Sequence, residues 1–200
     1  MGNIILTSSF STVAKELYEK GLLPHEPVKV GFVTTAADPY KNKPWMEADR
    51  KALIDLGYAV IDIDLKDKTS TELQIVFNDT RILFIAGGNA PFLVEHAHRS
   101  GLREVIKKAL DDGELFIGSS AGSILAGPSV EPFVEEDAAE LPKTFSLQNS
   151  SCLGLVDYIV LPHYPHYAQR NDKLAEQYGK QYKFQKLNDR EYRVETSNDI

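Results

Sequence analysis

Cysteine is almost missing from this 200-residue chain, and Cys152 is the only one. That excludes an intrachain disulfide framework and a multi-cysteine metal site. Positive charge is also short: 22 Lys+Arg stand against 29 Asp+Glu, a net charge of −7. A global electrostatic grip on nucleic acid or anionic lipid is therefore not expected, although a local basic pocket remains compatible. No apolar stretch approaches the roughly 20 residues that span a bilayer, so no membrane partner is expected. The start, Met1-Gly2-Asn3-Ile4-Ile5-Leu6-Thr7, has no basic segment and only a three-residue apolar run, unlike a secretory signal. These features point to a reducing, cytoplasmic setting. Two nucleotide signatures are missing as well, Gly-x-Gly-x-x-Gly and Gly-x-x-x-x-Gly-Lys-[Ser/Thr]. Asp62, Asp64 and Asp67 lack the glycine and terminal Glu of a calcium loop, so they read as a strand end.

What is present is ordinary globular material, 42 % hydrophobic and 26 % charged. The length suits one domain, residues 1–200, burying roughly 70 % of its unfolded surface. Strand-like and helix-like patterns alternate along it. Strands are predicted at 3–7, 28–35, 58–64, 81–86, 114–117 and 157–162. A first helix carries Val13, Leu17 and Tyr18 and stops at Gly21; Pro44 opens a second that ends at Gly57. Thr69 or Ser70 caps a short third helix, and a longer helical stretch runs to about residue 112 with a break near Gly101. The continuous apolar run 81–86 fits a strand buried on both faces of a parallel sheet. Residues 128–151, with Pro128, Pro132 and Pro142, read as an excursion loop. A helix follows at 167–178. Residues 181–187 and 191–195 flank Asn188-Asp189-Arg190 as a β-hairpin. The fold class is α/β: three layers, with a mostly parallel sheet and helices on both faces.

Sites in such sheets gather beyond the C-terminal strand ends, and three loops there carry chemistry. Gly118-Ser119-Ser120-Ala121-Gly122 has the form Gly-x-Ser-x-Gly. The bare string is short enough to arise by chance, but here a strand enters it and a helix leaves it, as a nucleophile elbow requires. Ser120 holds the central position; the plainer reading is a tight glycine turn or an anion-binding helix start. Gly87-Gly88-Asn89 ends the preceding strand. The amides of Ala121 and Gly88 are placed to serve as oxyanion donors, while Asn89 reads most simply as a helix cap. The third loop is Leu161-Pro162-His163-Tyr164-Pro165-His166. A serine hydroxyl needs a base of near-neutral pKa, which favours histidine. His163, at the strand tip, is better fixed than His166, which stays in competition. His25, His96 and His98 read as surface residues.

Together the three loops resemble the signatures of the peptidase E (aspartyl dipeptidase) family, in matching order and spacing along essentially the whole chain. The resemblance implies a class I glutamine-amidotransferase-like fold and a serine peptidase of short peptides that uses neither metal nor cofactor. It assigns Ser120 as nucleophile, His163 as base and the Gly88 and Ala121 amides to the oxyanion hole. The family's acid comes late, in a Leu-x-acid turn, which Leu187-Asn188-Asp189 matches through Asp189. An acid after the elbow, Glu135 or Asp137, is the alternative. Asn89 and Arg170 are expected on the substrate side, Arg170 as the cation for a substrate carboxylate such as that of an Asp-X dipeptide. The chain departs from the family at Ser119, where an aromatic is common, and at Ala90-Pro91-Phe92, where Thr-Phe is common. Two rivals share these residues: an acyl hydrolase of non-peptide esters or amides, and a non-catalytic protein cradling a small anion.

Overall fold

The computed structural model describes residues 2–196; Met1 and residues 197–200, the end of the unpatterned tail, lie outside them. Two apolar cores sit on opposite faces of one six-stranded sheet. Its strands are β1 (Asn3–Thr7), β2 (Lys29–Val33), β3 (Ala59–Ile63), β4 (Ile82–Ile85), β5 (Leu115–Ser119) and β8 (Tyr192–Thr196). Their order is β3-β2-β4-β5-β1-β8, parallel throughout except for β8, which runs antiparallel to β1.

The alternation of side chains along each strand decides which core it feeds. Ile82 and Phe84 of β4 face one side, where Phe84 packs on Phe10 and Phe32 with ring centroids 4.9 Å away in each case. That side is covered by α1 (Phe10–Glu19) and α2 (Pro44–Asp55). Leu83 and Ile85 face the other side, under α3 (Ser70–Phe77), α4 (Ala90–Ser100), α5 (Leu102–Asp111) and α6 (Ala121–Ala126). Every residue of β4 and β5 is buried; β4 is accordingly apolar throughout, and β5 is apolar up to Gly118 and ends on the buried Ser119. The long helical stretch does break at Gly101, whose φ of 66° is a left-handed conformation that glycine adopts without strain.

The excursion loop is closed at its base. Ser129 bridges Ser151, and Cys152 N–H donates to Pro128 O at 3.0 Å. Between them lie two short 3-10 turns, Glu131–Phe133 and Ala138–Glu140.

The last strands form on either side of the expected turn, but they are not partners of each other. β7 (Lys183–Lys186) pairs in parallel with β6 (Tyr158–Leu161) in a separate two-stranded sheet, while β8 joins the main sheet beside β1. Each strand satisfies an edge that would otherwise be open, those of β6 and β1, so the turn at 188–190 crosses between two sheets instead of closing a hairpin. α7 (Ala168–Tyr178) packs its Leu174 against this end of the molecule. Among the described residues no helix is long and apolar enough to cross a membrane, and no group of three or more His, Cys, Asp or Glu could hold a metal ion.

Candidate active site

The C-terminal ends of β1, β4, β5 and β6 open onto one cavity of about 260 Å³, lined by Ser8, Gly88, Ser120 and His163 among others. Topology explains the gathering: parallel strands deliver all their outgoing loops to one edge.

Ser120 stands between β5 and α6 with φ 50° and ψ −107°, a strained conformation for a residue with a side chain. Its backbone is fixed on both sides. Ser120 N–H donates to Thr7 O at 3.0 Å, and its carbonyl accepts Ser123 N–H and Ile124 N–H at 2.9 and 3.0 Å. The flanking glycines are required by contact. A Cβ on Gly122 would collide with the Ile85 carbonyl, and one on Gly118 would lie 2.7 Å from the Gly122 backbone.

His163 follows β6 after the single residue Pro162, also with a left-handed φ, 60°. Its Nε2 lies 3.1 Å from Ser120 Oγ, and its Nδ1 lies 2.7 Å from Asp189 Oδ1. A carboxylate only accepts, so Nδ1 carries the proton and Nε2 is left to accept from the serine hydroxyl. Burial works to raise the Asp189 pKa, but hydrogen bonds from Ser8 and His163 outweigh it and hold the carboxyl below its usual range. His166 is exposed, with its ring against Tyr167 at 4.6 Å, and makes no hydrogen bond to Ser120.

Gly88 adopts φ 149° where the β4 loop presses on the chain at Ala36; any Cβ would overlap the Ala36 carbonyl. Trp45 Nε1 donates to Gly87 O at 3.1 Å and pins the same loop. Neither Gly88 N–H nor Ala121 N–H has a hydrogen-bond acceptor among the described residues, so both are free to donate.

Comparison with known proteins places the chain in a family. The profile of peptidase family S51 matches residues 4–190. This chain belongs to that family. An uncharacterized peptidase of Listeria monocytogenes is 31 % identical over 82 % of this chain and 78 % of its own. A peptidase E of a Nostoc species is 29 % identical over 72 % of this chain and 56 % of its own. The crystal structure of a candidate peptidase E from Listeria monocytogenes superimposes with a TM-score of 0.83, at 25 % identity over 98 % of both chains. The protein is thus a serine-type peptidase with the peptidase E fold.

The remaining residues expected at the peptidase's site fall into two groups. Arg170, on α7, lines the cavity. Its guanidinium lies over Tyr167 at 4.7 Å and toward Phe133 at 5.8 Å, and Nε and Nη2 both reach Asn171 Oδ1 at 3.2 Å. No carboxylate lies within ion-pair distance of it among the described residues, and its charge pulls down the pKa of Asp137, which lines the same cavity. Asn89, by contrast, is completely buried, and both ends of its amide are used. Its Oδ1 accepts Phe92 N–H at 2.9 Å as the cap of α4, and its Nδ2 donates to Asp137 O at 2.8 Å. Asp137 lines the cavity, and its Oδ2 accepts Ala90 N–H at 3.2 Å. Burial pushes its carboxyl up to about 6. No hydrogen bond joins Asp137 to His163 among the described residues, and Glu135 is exposed.

Three polar residues at the site carry no signal in the sequence. Ser8 is completely buried at the tip of β1: its Oγ accepts His163 N–H at 2.6 Å and donates to Asp189 Oδ1 at 2.7 Å. Asp49 is buried at the cavity wall, where its Oδ1 accepts Ser11 N–H at 2.8 Å. Burial raises its pKa against the pull of its Ser119 and Ser11 hydrogen bonds. Asn171 is buried on α7 and donates from Nδ2 to Pro162 O at 2.9 Å, steadying the peptide just before His163.

Proposed function

We propose that the peptidase hydrolyses short peptides, Asp-X dipeptides among them, through a Ser120–His163–Asp189 triad and an acyl-enzyme. The observation that carries this reading is the unbroken chain Ser120 Oγ, His163 Nε2, His163 Nδ1, Asp189 Oδ1, with steps of 3.1 and 2.7 Å across the ring, ending on a strained elbow. His163 Nε2 takes the hydroxyl proton as Ser120 Oγ adds to the peptide carbonyl carbon. The amides of Gly88 and Ala121 hold the developing oxyanion. The carbon–nitrogen bond breaks as His163 returns the proton to the leaving amine. Water, deprotonated by His163, then releases the acid and restores Ser120. Asp189 orients the ring and stabilises the imidazolium.

Arg170 supports the acidic preference. It is stacked, half-buried and without an ion-pair partner among the described residues, a pre-oriented fork for a carboxylate on the substrate's first residue. Asn89 serves the site from behind by fixing the Gly88 loop and the start of α4, and it does not line the cavity. Asp137 is left outside the triad in this scheme.

A dipeptide panel tests both levels. Wild type should cleave Asp-X over X-Asp and uncharged controls, and Ser120→Ala should cleave none. Peptidase activity surviving in Ser120→Ala would refute the nucleophile. Turnover of simple esters or amides with no dipeptide cleaved would favour the acyl-hydrolase rival.

A further inference from the structure

We infer that Ser8 is a positioning residue of this peptidase: its hydroxyl clamps Asp189 to the His163 backbone and so fixes the imidazole for Ser120. This rests on the triad reading above.

Asp189 needs such a clamp because, besides Ser8, only the His163 ring that it must itself orient is hydrogen-bonded to its carboxylate among the described residues. The turn carrying it joins β7 to β8, and those strands belong to different sheets, so neither ladder sets the side chain's position. The side chain is also 48 % exposed, where water competes for its oxygens. Ser8 has the opposite situation. It is completely buried, and it directly follows β1, which is hydrogen-bonded on both edges, to β5 and β8.

The directions of the hydrogen bonds follow by elimination. His163 N–H can only donate, so Ser8 Oγ accepts it, at 2.6 Å. The hydroxyl proton of Ser8 must then go to an acceptor, and Asp189 Oδ1 stands 2.7 Å away. His163 Nδ1 lies 3.2 Å from Ser8 Oγ, but its proton is directed at Asp189 Oδ1 over the shorter 2.7 Å. One oxygen therefore ties the backbone of the base to the side chain of the acid. The bond to His163 N–H also steadies a residue whose φ of 60° is unfavourable for a side chain other than glycine. Thr12, in the first turn of α1, adds a second fastening, donating from Oγ1 to the Asp189 carbonyl.

The test is a double-mutant cycle with a spectroscopic arm. Ser8→Ala should lower kcat by roughly 10- to 100-fold with KM changed less than about threefold. In an Asp189→Ala background the same change should cost less than about twofold, because the group it acts through is gone. Equal losses in both backgrounds would overturn the proposal. Ser8→Cys, similar in size and a weaker donor, should fall between Ser and Ala, and covers the case in which Ser8→Ala fails to fold. Independently of turnover, proton NMR should show the His163 Nδ1–H far downfield in wild type and in Ser120→Ala, and shifted or exchange-broadened in Ser8→Ala. Absence of that signal from wild type, or its persistence unchanged in Ser8→Ala, would also overturn the clamp. If the signal behaves as expected but wild type cleaves no peptide, the functional reading fails and the role of Ser8 stands.

Discussion

Ser120 and Asp189 end the same hydrogen-bond chain but are held by different means. Ser120 sits at the tip of a strand buried at every residue, and its flanking glycines admit the neighbouring backbone at contact distance. Asp189 lies on a half-exposed turn between two sheets and is held by hydrogen bonds from Ser8, Thr12 and His163. Packing fixes the nucleophile, whereas polar contacts fix the acid. Packing in a core responds to a single added carbon, while a hydrogen-bonded turn can tolerate change in shape and lose only orientation.

Four substitutions would break or sharpen this contrast. The largest expected effect is Ser120→Ala, a loss of about 10⁴- to 10⁶-fold in kcat/KM. Only the hydroxyl is removed, and the Cβ stays at the same strained φ of 50°, so thermal stability should be unchanged, as a melting curve would check. Asp189→Asn comes next, at about 10²- to 10⁴-fold in kcat, measured by steady-state kinetics. Because hydrogen bonds hold its carboxyl below the usual range, Asp189 adds stability at neutral pH. That contribution is lost as pH falls through its depressed pKa, so the stability gap between wild type and Asp189→Asn should close in acid.

The elbow should show the reverse pattern. Gly122→Ala forces a Cβ against the Ile85 carbonyl and should destabilise the fold by about 3 kcal/mol in denaturant unfolding. An unchanged midpoint would mean the elbow is not held by packing. The smallest effect is expected at Asp137, a cavity carboxylate whose burial is not fully offset by its hydrogen bond to Ala90. Its pKa is raised to about 6, so it weakens the fold as pH rises through that value. Asp137→Asn should therefore be more stable than wild type at pH 8, by about 1 kcal/mol after solvent screening. The gain should vanish below pH ~4, near the ordinary carboxylate range; a constant gain across pH would refute the electrostatic account.

How much of the site was legible follows the same division. Gly118 to Gly122, Gly87-Gly88-Asn89 and Leu161-Pro162-His163 each couple a strand end to a special residue, and such coupling is local in sequence. Ser8 is not legible. It is one of several serines in a Ser-Ser-Phe-Ser run, and its partners lie 155 and 181 residues away. Asp49 looks like one more polar position of a surface helix until α2 packs against α1 and buries it. Proximity in sequence suggests that the last two strands pair with each other, but the open edges that claim them belong to β1 and β6.

The sequence by itself determined the alternation of strands and helices, the parallel sheet and the loops at its C-terminal edge. Periodicity, glycine placement and buried apolar runs act over a few residues and need no partner to be read. Only the tertiary structure decided that Asn89 is spent inside the scaffold, that Arg170 lies unpaired over an aromatic face, and which strands claim β7 and β8. It also decided that Ser8 meets Asp189 and His163. A hydrogen bond depends on placement to a fraction of an ångström, and that placement is set by long-range packing.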